Sequence, residues 1–92
     1  MLKNDLDDLE NNGQKGDWCF LNNDTLIAIR FGEELFTGMV MLPIAENELG
    51  RPYWKWNGNY NQPSLSPSIL VHKNVYQPEW HGFLTDGKLI VV

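Results

Sequence analysis

Short apolar runs separated by turn formers constrain this chain more than any other feature. Asp86-Gly87 stands between Trp80–Leu84 and Lys88–Val92, Asn22-Asn23-Asp24 between Trp18–Leu21 and Thr25–Phe31, and Asn57-Gly58 follows Tyr53–Trp56. Asp-Gly and Asn-Gly supply the positive φ angles of tight hairpins, so such pairs between apolar runs predict antiparallel strands. Further strands are expected at Leu35–Ile44 and Ile69–His72, with Ser64–Ser68 an extended crossing segment between Pro63 and Pro67. In Thr25–Phe31, Leu26, Ala28 and Arg30 face one way and Ile27, Ile29 and Phe31 the other. The expected fold is all-β: a small antiparallel sandwich or partly open barrel of about six or seven strands.

The first residues differ. Leu2, Leu6 and Leu9 form a helical stripe with Asn4 as a candidate cap. Ten residues do not hold a helix unaided, so the segment is either a helix docked on the body or an acidic tail. The organisation read from the sequence is therefore residues 1–12 as acidic tail or short helix and residues 13–92 as one β-domain.

Charge divides the same way. The net charge is −5, and residues 1–12 carry Lys3 against Asp5, Asp7, Asp8 and Glu10. That is −3, leaving −2 for the rest. A nucleic-acid binder needs a basic face, whereas the six remaining Lys and Arg residues are scattered. No apolar run approaches the ~20 residues of a membrane span. The lone cysteine, Cys19, allows no intramolecular disulfide, which fits a reducing cytoplasm. Direct nucleic-acid or membrane partners are not expected; a protein partner is.

Candidate functional residues concentrate between Tyr53 and Gly87. Trp54 and Trp56 share one strand face and serve as core or as a binding platform. Ser64, Ser66 and Ser68 alternate and form one hydrogen-bonding strip if extended. His81, with His72, supplies the imidazoles. A serine nucleophile needs a positioned histidine and an orienting acid, and G-x-S-x-G is absent. Metal-ligand pairs such as H-x-H or C-x-x-C are absent too. No catalytic residue, metal ligand or cofactor is therefore assigned, and the expected binding residues are Trp54, Trp56, Ser64, Ser66, Ser68 and His81. Glu33, Glu34, Glu46 and Glu48 offer an alternative acidic surface for a partner.

Three pieces of this stretch stand in order: Trp54-x-Trp56-Asn57-Gly58, Pro63-Ser64-Leu65-Ser66-Pro67-Ser68-Ile69, and Trp80-His81-Gly82-Phe83 with Asp86-Gly87. Together they resemble a family of small phage and prophage proteins of unassigned function. That family carries W-x-W-N-G, P-T-x-S-P-S-I and C-H-x-F-V-x-D-G, and many members are labelled ammonia monooxygenase. The resemblance covers Trp54 to Gly87. It implies a related β-scaffold of mobile-element origin. Trp80 stands where the family has cysteine, and Phe36–Ile44 lacks the upstream cysteines, so it also implies that a metal site has been lost.

The functional expectation is thus a non-enzymatic phage-type accessory protein that binds a protein partner. One alternative is a phage inhibitor of a host defence nuclease, of the anti-CRISPR or anti-restriction type. Another is a residual metal-binding or hydrolase domain centred on His81.

Overall fold

The computed structural model describes residues 1–32, 38–73, 75 and 79–92. Among these the chain is mostly β, with eight short antiparallel strands and one short N-terminal helix. Helix α1 is Leu6–Asn12, and strands β1 to β8 are Trp18–Leu21, Leu26–Arg30, Met39–Pro43, Lys55–Trp56, Leu65–Ser66, Ile69–Val71, Trp80–Thr85 and Lys88–Val91. They form three small open sheets, β1-β2-β3, β4-β5 and β6-β7-β8, which share a main core.

The turn chemistry works as its residues dictate. Asn22, Asn23 and Asp24 all take positive φ between β1 and β2. Asp86 and Gly87 do so between β7 and β8, at φ 49° and 75°, the two-residue geometry whose twist matches the flanking strands. A side chain at Gly87 would also crowd Trp18, 3.1 Å from a Cβ. Pro43 lacks a ladder donor and ends β3, an edge strand.

The first sheet is covered on both faces. Trp18, Ile27, Ile29, Phe31 and Leu42 join the main core with Leu65, Ile69, Val71 and Leu84 from the other two sheets. The opposite face buries Cys19 and Ala28 under Leu9 of α1. Arg30, on that face, is buried, and its Nη1 donates to the carbonyls of Leu9, Glu10 and Gly13 at 3.4, 3.3 and 3.0 Å. A cation at a helix C-terminus satisfies carbonyls that have no intrahelical partner. The helix cap is Asp5, whose carboxylate accepts from Asp8 N–H at 2.8 Å, not the expected Asn4. Leu2 stands outside the helix and bridges Trp18 in parallel.

Two boundaries shift in a way that matters for the site. The expected crossing segment contains a real strand, β5, which pairs Leu65 with Trp56 and Ser66 with Lys55. Pro67 then interrupts pairing, and the chain passes into β6 in a different sheet. Ser66 and Ser68 therefore belong to different surroundings, although only one residue separates them. The expected strand Leu35–Ile44 is described only from Gly38 onward, where Met39–Pro43 forms β3.

Candidate functional site

The third sheet supplies the geometry. β6 and β7 run antiparallel with Ile69 opposite Gly82, Leu70 opposite His81 and Val71 opposite Trp80. Alternation sends Ile69, Val71, Gly82 and Leu84 inward, all buried, and Leu70, His81 and Phe83 outward. Continuing that register by one residue sets Ser68 level with Phe83, diagonal to His81. Diagonal neighbours lie within reach of a long side chain. Ser68 Oγ and His81 Nε2 are accordingly 3.1 Å apart. His81 is exposed and Ser68 half-buried, so the pair opens to solvent from a fixed floor.

Each member is held by its surroundings. The Trp54 indole N–H donates to the Ser68 carbonyl at 3.3 Å, tying the backbone at Ser68 to the segment before β4. The Val92 amide donates to the His81 carbonyl at 3.0 Å, so β8 flanks β7 at this point. Beside His81, the Trp80 indole folds over Gly82, where an added Cβ would come within 2.7 Å of the ring and 2.3 Å of the Ile90 carbonyl oxygen. Glycine is required for that close approach. Trp80 reaches on toward Phe31, with ring centroids 6.0 Å apart. Its buried Nε1 has no hydrogen-bond partner among the described residues.

The other expected binding residues divide among different tasks. Ser64 Oγ accepts from the Asp86 amide at 2.8 Å and donates to the Asp86 carboxylate at 3.3 Å. It braces the β7–β8 turn and does not join Ser68. Ser66 is exposed on β5. The three serines thus do not form a single strip, because Pro67 separates two sheets within it. Trp54 and Trp56 are half-buried and pack against the core. Trp56 lies among Phe20 and Tyr60, at centroid distances of 4.8 and 5.2 Å, and its Nε1 donates to the Asn59 carbonyl. It borders an open groove of about 270 Å³ with Lys55, Asn57, Ser64, Leu65 and Ser66. Glu46 and Glu48 are exposed; Glu33 and Glu34 lie outside the described residues.

Two other chemistries find less support. Burial, with the carboxylates of Asp5, Asp8 and Glu10 nearby, pushes the Cys19 thiol up to about 11. A thiol so buried is no nucleophile near neutral pH. Among the described residues no three His, Cys, Asp or Glu side chains group closely enough to hold a metal ion. No helix among them is long and apolar enough to cross a membrane.

The sequence alone places Ser68 among binding residues, since a serine nucleophile needs a positioned histidine and an orienting acid and the nucleophile-elbow motif is missing. The available signal was positional. A serine just before one strand and a histidine at the second position of its antiparallel neighbour meet across the ladder, with no local motif required.

The family model of BubE, described as a bacterial ubiquitination-like system serine protease, matches residues 37–92. That span exceeds half the chain and contains both Ser68 and His81. No curated protein and no solved structure matches. The match overturns the resemblance to phage proteins of unassigned function and, with it, the anti-CRISPR or anti-restriction reading. It replaces the non-enzymatic accessory protein, and the metal-binding alternative, with a serine-protease family. The absence of G-x-S-x-G misled because that motif belongs to one fold, whereas the serine–histidine arrangement recurs on unrelated ones. The expectation of protein partners stands, since a ubiquitination-like system is made of proteins. Matched over residues 37–92, the chain belongs to the BubE family, the serine proteases of bacterial ubiquitination-like systems.

Proposed function

We propose that this protein hydrolyses a peptide or isopeptide bond in a protein of such a system, with Ser68 as nucleophile and His81 as general base. The carrying observation is the 3.1 Å approach of Ser68 Oγ to His81 Nε2 on an exposed sheet face. A hydroxyl is a weak nucleophile until a neighbouring base takes its proton. A neutral His81 protonated at Nδ1 leaves Nε2 free to accept from Ser68.

In the first half-reaction Ser68 Oγ attacks the carbonyl carbon while His81 Nε2 takes the hydroxyl proton. The tetrahedral adduct collapses, the C–N bond breaks, and His81 returns the proton to the leaving amine. In the second half a water attacks the Ser68 ester with His81 again as base, and the acid product leaves. The Trp54–Ser68 and Val92–His81 hydrogen bonds support the reading, since they fix both backbones where the reaction needs them.

The substrate side is a protein, in keeping with the absence of any clustered basic face in the sequence. A cytoplasmic setting fits the single buried cysteine. The test is incubation of the purified full chain with a proteome-derived peptide library, reading new termini by mass spectrometry. Cleavage by the wild type that Ser68→Ala abolishes supports the proposal; cleavage that persists in Ser68→Ala refutes it.

A further inference from the structure

We infer that Leu70 and Phe83 form a specificity surface beside the dyad and receive an apolar side chain of the peptide being cut. This deepens the Ser68–His81 reading and rests on it. Leu70 is directly opposite His81 on β6, and Phe83 is two residues along β7 on the same face. Ile90 stands opposite Phe83 on β8. Leu70, Phe83 and Ile90 are 47%, 40% and 50% exposed.

A half-buried antiparallel sheet ordinarily turns polar residues to solvent. Here the inner positions already fill the core, with Ile69, Val71 and Leu84 at 4% exposure or less. The outer apolar residues therefore have no packing role that the core requires. They adjoin the Ser68 hydroxyl, which is paired with the His81 imidazole. A contiguous apolar surface of this kind marks an interaction site.

Position then defines the occupant. A carbonyl carbon under attack must come within roughly 3–3.5 Å of Ser68 Oγ. Residues opposite one another across a strand pair lie ~4.5–5.5 Å apart at Cβ. A substrate residue with its carbonyl at Ser68 therefore carries its side chain over Leu70 or Phe83. An apolar side chain is favoured there, while a charged one loses water without a partner. Lys88 sits at the far end of this face, opposite Thr85.

The experiment profiles cleavage of a randomised peptide library by the full-length wild type and by Leu70→Glu and Phe83→Glu. In parallel, Ser68 of the wild type is labelled with a small fluorophosphonate. Wild-type cuts are expected to be enriched in Leu, Ile, Val or Phe next to the broken bond. In at least one Glu variant the apolar-to-basic preference is expected to fall by about tenfold to a hundredfold, with Lys- or Arg-containing peptides newly cut. That gain cannot come from a damaged fold. Ser68 labelling with no apolar enrichment, or with the same preference in both variants, overturns this inference and leaves the dyad standing. Absence of Ser68 labelling overturns both.

Discussion

Ser68 and His81 meet on the diagonal of an antiparallel ladder: Oγ and Nε2 lie 3.1 Å apart although the two residues stand 13 positions apart in the chain. The register of β6 against β7 creates the approach. Removing the imidazole should leave the ladder intact. His81→Gln is expected to slow fluorophosphonate labelling of Ser68 by ~10²–10⁴-fold, the usual share of a positioned general base. Its stability should stay within ~0.5 kcal/mol of wild type, as for other exposed substitutions. Labelling kinetics by intact mass and a urea titration check the two halves.

Ser64 provides the contrast. It lies four residues before Ser68, yet it bonds to both the amide and the carboxylate of Asp86. Ser64→Ala should therefore cost stability, by about 0.5–1.5 kcal/mol for a lost hydrogen bond, while Ser68 labelling remains within about twofold of wild type. Chemical denaturation and labelling of the same preparation separate the two effects.

Trp54 tests the backbone support of the nucleophile. Trp54→Phe keeps an aromatic ring against the core but removes the donor to the Ser68 carbonyl. A labelling rate lower by roughly 2- to 10-fold is expected, matching the ~0.5–1.5 kcal/mol of one hydrogen bond. Trp54→Leu, which also lacks the donor, should show the same loss in labelling.

Cys19 gives a pH dependence of defined sign. Its thiol is raised from 9.0 to about 11 in the folded chain, by burial first and then by Asp5, Asp8 and Glu10. Below pH 9 both folded and unfolded chains hold the proton, and the stabilising contribution is complete. Above that, the unfolded chain releases its proton first, so stability falls as pH rises through about 11. Denaturation midpoints measured from pH 8 to 11 should decline more steeply for the wild type than for Cys19→Ala. Iodoacetamide at pH 7.5 should leave the native thiol unmodified.

Much of the fold was legible because it rests on local chemistry. Asp86-Gly87 and Asn22-Asn23-Asp24 require positive φ, and the alternation in Thr25–Phe31 separates Arg30 and Ala28 from Ile27 and Ile29. The docking of the first residues was less legible, because Leu9 and Arg30 meet only after the first sheet exists. The dyad was illegible for the same reason. Ser68 and His81 carry no shared motif, and Pro67 hides the change of sheet that separates Ser68 from Ser64 and Ser66. Their pairing follows from a register that no single residue encodes.

Activation of Ser68 as a nucleophile is tested most directly by treating the native wild-type chain with a fluorophosphonate, followed by intact-mass measurement and peptide mapping. One adduct per chain is expected, located on Ser68 and absent from the heat-denatured protein. An unlabelled native chain, or an adduct mapped to Ser64 or Ser66, would contradict it.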